Sequence, residues 1–256
     1  MQNRIDQLFA SGKKNILNIY CTAGFPELND TVKVMEALQE NGVDIIELGM
    51  PFSDPLADGP VIQDSSTRAL QNGMSLHKLF EQLAGFRSKI HIPVILMGYL
   101  NPVLRFGVEE FLQKCAETGV DGLILPDLPM AEYERDYKPL FEKYNLDLIF
   151  LVTPETSEAR LRKIDELSRG FIYAVSSSST TGKNTDMGNQ EAYFARLKNM
   201  QLKNPVMIGF GIRDKATFDA AAAHANGAII GTAFIKAIEN STDLKATIKD
   251  FVAGVR

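Results

Sequence analysis

Residues 44–60 read DIIELGMPFSDPLADGP. The first part is an apolar run about as long as one strand, broken by a single charge at Glu47. The second part is a loop of Pro, Gly and Asp that leads to Asp58, eleven positions after Glu47. If 45–49 is a strand, alternation puts Ile45, Glu47 and Gly49 on one face and Ile46 and Leu48 on the other. Both faces are apolar apart from Glu47, the pattern of a parallel sheet covered on both sides.

The same pattern recurs on either side of this stretch. Further strands are expected at 16–22, 92–99, 122–126, 147–153, 171–176, 206–209 and 228–230. Helical spacing of apolar residues predicts helices at 29–41, from near 61, at 76–88 with Ser75 as N-cap, and at 108–117, 158–167, 191–200 and 215–223, with one or two more at the end. Pro139 cannot sit inside a helix, so a turn near Ala131 and a helix starting at Pro139 are expected there. Residues 4–11 form an additional short helix, with Ile5, Leu8 and Phe9 on one face and Gly12 at its end. Eight strands, each followed by a helix, within 256 residues predict a single-domain (β/α)8 TIM barrel over 1–256 with an extra N-terminal helix. No Gly-x-Gly-x-x-Gly follows the first strand, and no linker or compositional shift divides the chain.

Composition narrows the function. The net charge is −5, so no basic field exists for nucleic acid or an anionic membrane, and an anionic substrate needs local capture. There is no secretory leader and no run of about 18 apolar residues, which points to a cytoplasmic protein. Cys21 and Cys115 are expected as reduced thiols, and His77, His91 and His224 lack zinc-ligand spacing.

Functional groups of a barrel collect at the C-terminal ends of its strands. Glu47 stands at such an end and points inward. It is either an acid/base group with its proton affinity raised by burial, or a structural glutamate held in a salt bridge. Asp54 and Asp58 are catalytic or are turn residues; Tyr99 and Tyr173 bind substrate or belong to the core. Thr181-Gly182, the glycines of Gly209-Phe210-Gly211, and Gly231-Thr232 fall in the last three loops, where backbone N–H groups can approach a phosphate.

The segment 47–60, ELGMPFSDPLADGP, resembles the signature of the tryptophan synthase alpha chain family. The resemblance continues through Gly24-Phe25-Pro26, Tyr99-Leu100-Asn101-Pro102, Asp127-Leu128-Pro129, Tyr173, Thr181-Gly182, Gly209-Phe210-Gly211 and Gly231-Thr232-Ala233. It implies a barrel that cleaves indole-3-glycerol phosphate to indole and glyceraldehyde 3-phosphate in tryptophan biosynthesis. By the same resemblance Glu47 is the acid/base residue, Asp58 meets the indole N–H, and Tyr173 lies beside the substrate. Ile62 and Phe210 line the indole pocket, and Gly182, Gly211, Gly231 and Thr232 hold the phosphate. The partner implied is a beta chain in an alpha2-beta2 complex; it carries pyridoxal phosphate and receives the indole, while this chain needs no cofactor and no metal. Asp54, Asn101 and Pro102 face that partner. A free-standing lyase, or a weakly active subunit that mainly activates the beta chain, is the alternative. One departure stands out: Ser177, Ser179 and Thr180 occupy positions where the family has Arg, Gly and Val, in a loop that closes over the substrate.

Overall fold

The computed structural model describes residues 3–175, 187–209 and 211–256. Its strands, in chain order, are β1 (Ile16–Thr22), β2 (Ile45–Gly49), β3 (Val94–Met97), β4 (Gly122–Ile124), β5 (Asp147–Leu148), β6 (Leu151–Val152), β7 (Ile172–Val175), β8 (Val206–Gly209) and β9 (Gly227–Ile230). All pairings are parallel, in the order β5-β4-β3-β2-β1-β9-β8-β7-β6.

β5 and β6, at the two ends of that order, are halves of one extended segment. Between them Ile149 N–H donates to the Leu123 carbonyl on the β4 side, and the Phe150 carbonyl accepts from Tyr173 N–H on the β7 side, both at 3.0 Å. The ring therefore closes, and the strand expected at 147–153 is the seam. The fold is the (β/α)8 barrel.

Alternation sorts the core into two shells. The inner shell includes Ile16, Ile45, Ile95, Ile124, Ile149, Phe171, Met207 and Ile229, on the barrel strands or immediately beside them, together with Tyr173 and Val175 of β7. Ile46 and Leu48 belong to the outer shell, between strands and helices. The helix Arg4–Ala10 inserts Ile5 into the inner shell at the N-terminal end, and Phe9 packs on Phe171 with ring centroids 5.9 Å apart. Asn3 ties this plug down through a 2.6 Å bond from its amide to the Asp121 carbonyl.

The structure corrects two expectations about the helices. Leu100–Phe106 is a helix where none was expected, directly after β3. Its first free N–H, on Leu100, is capped by both oxygens of the distant Asp127 at 2.9 and 3.0 Å, a partner that local sequence does not reveal. The second concerns 130–143, which is helical from Met130 rather than a turn followed by a helix at Pro139. A π-helical turn over Tyr133–Tyr137 precedes Pro139, and its wider spacing accommodates a residue with no N–H to donate. Ser75 caps Leu76–Leu83 as expected, accepting from Lys78 N–H.

Among the described residues, no helix is long and apolar enough to cross a membrane, and no group of three or more His, Cys, Asp and Glu could hold a metal ion. Cys21 and Cys115 are buried and unbonded to each other.

Candidate active site

The C-terminal ends of the strands surround a cleft of about 490 Å³. Glu47, Asp58, Ile62 and Tyr173 line it from one group of elements; Gly211, Gly231 and Thr232 line it from the loops after β8 and β9. These seven include the three residues expected to do chemistry and four expected to bind substrate. Thr181, Gly182 and Phe210 lie outside the described residues, as do Ser177, Ser179 and Thr180.

Glu47 reaches the cleft floor because β2 turns its odd-numbered positions inward. The next inward position is Gly49, where a Cβ would lie 2.1 Å from the Tyr20 hydroxyl. Gly209 makes the same room for Tyr173, whose ring would be 2.3 Å from a Cβ there. Two glycines at strand ends thus let two tyrosine rings fold into the barrel mouth beside the carboxylate. With these rings around it Glu47 is 1 % exposed. Burial, reinforced by the negative charge of Asp58 and opposed by a hydrogen bond from Asn18, pushes its carboxyl up to about 8.

Asp58 is held from behind. Tyr99 donates its hydroxyl to Asp58 Oδ2 at 3.0 Å and accepts from Ala57 N–H at 2.9 Å. Gln63, on the helix Pro60–Gln71 that the loop feeds, donates to the Asp58 carbonyl at 2.8 Å. Burial raises Asp58 to about 6, with the Tyr99 hydrogen bond working against it. The structure thus puts Tyr99 behind Asp58 instead of on the cleft wall described by the lining residues. Both carboxyls are thus raised by burial, Glu47 further than Asp58. Among the described residues neither makes a salt bridge.

Several cleft residues were not singled out from sequence. Tyr20 and Met97 line it from β1 and β3; Arg213 and Lys236 bring positive charge to it. Lys236 follows Thr232 by one helical turn in Thr232–Ile238, a spacing that was readable. Gly211 has φ +78°, a conformation that favours glycine at the turn after β8. Away from the cleft, Asp54 and Asn101 are exposed and Pro102 is half-buried. The same loop and helix expose two large apolar side chains, Leu56 at 88 % and Leu104 at 48 %.

The family model described as tryptophan synthase alpha chain matches residues 7–254. The chain belongs to the tryptophan synthase alpha chain family. It is 56 % identical over 255 residues to the tryptophan synthase alpha chain of Flavobacterium johnsoniae, covering 99 % of this chain and 100 % of that one. To the alpha chain of Christiangramia forsetii it is 55 % identical over 256 residues, covering 99 % and 98 %. The solved tryptophan synthase subunit alpha of Legionella pneumophila superposes with a TM-score of 0.88 at 35 % identity, covering 100 % of this chain and 97 % of that one. The alpha-chain match therefore spans the plug helix, all barrel strands and both sides of the cleft.

Proposed function

We propose that Glu47 and Asp58 carry the alpha reaction of this family in the cleft over β2. As a member of the family the chain is a carbon–carbon lyase of tryptophan biosynthesis. It cleaves indole-3-glycerol phosphate to indole and glyceraldehyde 3-phosphate and partners a beta chain in an alpha2-beta2 complex. The assignment of roles rests on one observation: two carboxyls share the cleft, Glu47 fully buried and Asp58 half-buried and held by Tyr99, so that burial raises Glu47 further than Asp58.

Indole is a poor leaving group as a carbanion. Glu47, protonated at neutral pH, gives its proton to C3 of the indole ring, and positive charge builds at the ring N–H. Ionised Asp58, fixed by Tyr99 and Gln63, stabilises that charge. The hydroxyl on the carbon next to C3 then loses its proton to the Glu47 carboxylate. The carbon–carbon bond breaks, its electron pair returns to the ring as neutral indole, and the aldehyde forms. Glu47 ends the cycle protonated, as it began.

Tyr173 and Ile62 flank the ring in this reading, with Phe210. The phosphate lies at the loops after β7, β8 and β9, on Thr181, Gly182, Gly211, Gly231 and Thr232, with Arg213 and Lys236 supplying the cations that an acidic chain must concentrate locally. Asp54, Leu56, Asn101, Pro102 and Leu104 form the face toward the beta chain, where pyridoxal phosphate resides; this chain takes no cofactor. We read 1–256 as one catalytic domain working in the cytoplasm.

The test is indole release from indole-3-glycerol phosphate by the isolated chain and by the chain with a beta partner. The plot of kcat/KM against pH is expected to be bell-shaped, with limbs near 6 for Asp58 and 8 for Glu47, falling about tenfold per unit outside them. Absence of indole in both conditions would overturn the lyase reading. A profile flat through pH 8 would remove Glu47 as the acid.

A further inference from the structure

Asn18 sits on β1 beneath the cleft, 0 % exposed, with Tyr20 two residues further along the strand. Its Nδ2 donates to Glu47 Oε2 at 3.1 Å. Its other amide atom, Oδ1, is buried and has no hydrogen-bond partner among the described residues. An unpartnered buried acceptor is a liability that an aliphatic side chain would avoid, and the neighbouring inner-shell positions Ile16 and Ile45 are aliphatic. Register places Asn18 opposite Ile45 and Tyr20 opposite Glu47, so the amide rises diagonally to the carboxyl from below.

What Glu47 needs from a neighbour changes during the reaction. As a carboxylate it only accepts hydrogen bonds; as an acid it also donates one. A primary amide carries a donor and an acceptor on one rotatable group, and a half-turn about its last side-chain bond exchanges them. We propose that Asn18 is a positioning residue for Glu47 whose amide serves both protonation states of that carboxyl. Nδ2–H donates to the carboxylate, and the turned Oδ1 accepts the proton of the acid. This rests on the assignment of Glu47 as acid and base.

The other titratable groups around Glu47 act on it in other ways. Tyr20 and Cys21 on β1 and Tyr173 on β7 are all driven toward their neutral forms by burial. Asp58, in the loop after β2, is an anion that opposes ionisation of Glu47. Ile95 and Met97 on β3 carry no charge. Arg213 and Lys236 line the same cleft. Among the described residues, the Asn18 hydrogen bond is the one interaction that favours the carboxylate against burial and Asp58.

The experiment compares wild type with Asn18→Leu, each in complex with a tryptophan synthase beta chain, by indole release across the neutral and alkaline range and by thermal unfolding. Leucine removes the amide and nearly keeps its shape. We expect kcat to fall about 10- to 100-fold with KM within about twofold, since Asn18 does not line the cleft. The alkaline limb should move up by about one pH unit, because the carboxylate loses a charge-assisted hydrogen bond. The melting temperature should hold or rise. An unmoved limb with wild-type kcat overturns the proposal, and so does a loss confined to KM. Asn18→Val and Asn18→Thr form a second pair of nearly equal shape, differing by a hydroxyl that both donates and accepts; threonine is expected at least about fivefold faster, and equal rates overturn the proposal. Failure of the wild-type complex to release indole would strike the lyase reading itself, whereas unaltered variants of an active wild type strike only the role of Asn18.

Discussion

The two ends of the barrel both bury carboxylates, and they treat them in opposite ways. At the N-terminal end Asp121 is bound by Arg4 and Arg87 and accepts from Val94 N–H. Asp44 is bound by Lys13 and Arg256 and accepts from Leu17 N–H. At the C-terminal end Glu47 and Asp58 have no such cations among the described residues, only the neutral donors Asn18 and Tyr99. The first arrangement sets each carboxylate between two cations and ties strands together. The second leaves the proton affinity high and the group ready to exchange a proton. Asp147 sharpens the lesson. It lies at the N-terminal end, where among the described residues its one ion pair is with Arg169 Nε 3.4 Å away, and burial pushes it up to about 7. A raised proton affinity thus occurs at both ends, but Glu47 also opens on a cleft that can hold a substrate.

Exchanging charge for neutrality at each end tests this contrast. Glu47→Gln should lower kcat about 10³-fold while indole-3-glycerol phosphate still binds, measured by single-turnover indole release and by titration calorimetry. The same variant should not weaken the fold. Glu47 binds its proton more tightly folded than unfolded, so its effect on stability worsens as pH rises from about 4.5 to about 8. Glutamine removes that loss, and the variant should melt above wild type at pH 8, with the gap closing as the pH falls. A glutamine variant that keeps its rate, or melts lower at pH 8, would erase the distinction between the ends.

Asp121→Asn should do the reverse. It leaves Arg87, whose side chain is 15 % exposed, without its counter-charge and should cost about 2–3 kcal/mol, or about 5–10 °C in melting temperature. Turnover per folded molecule should be unchanged; a drop in kcat as large as the drop in stability would show that the lower end is not merely structural. The smallest effect is expected at the rim. Leu56→Asp should weaken assembly with a beta chain about tenfold by sedimentation or calorimetry, and leave the isolated chain within about 0.5 kcal/mol of wild type. Unchanged affinity would move the partner face elsewhere.

Much of this contrast is readable from residue order. Strand 45–49 and its inward Glu47 follow from alternation alone, and the structure has the same bounds. Strand 16–22 is equally plain, but nothing local marks its Asn18 as more than one polar residue in an apolar run. The bond from Asn18 to Glu47 joins residues 29 apart and depends on how two strands are registered. The same holds for Leu100–Phe106, whose cap comes from Asp127, and for Tyr99, which faces Asp58 across 41 positions.

The sequence by itself determined what is periodic or local: the eightfold alternation of strand and helix, the side of β2 on which Glu47 lies, and the loop that carries Asp58. Backbone geometry imposes those, because side chains repeat every two residues in a strand and every 3.6 in a helix. Only the tertiary structure decided which carboxylates meet a cation, which meet a neutral amide or phenol, and which open on a cleft. Burial and charge pairing set proton affinity, and both are properties of neighbours that the chain brings together only when the barrel closes.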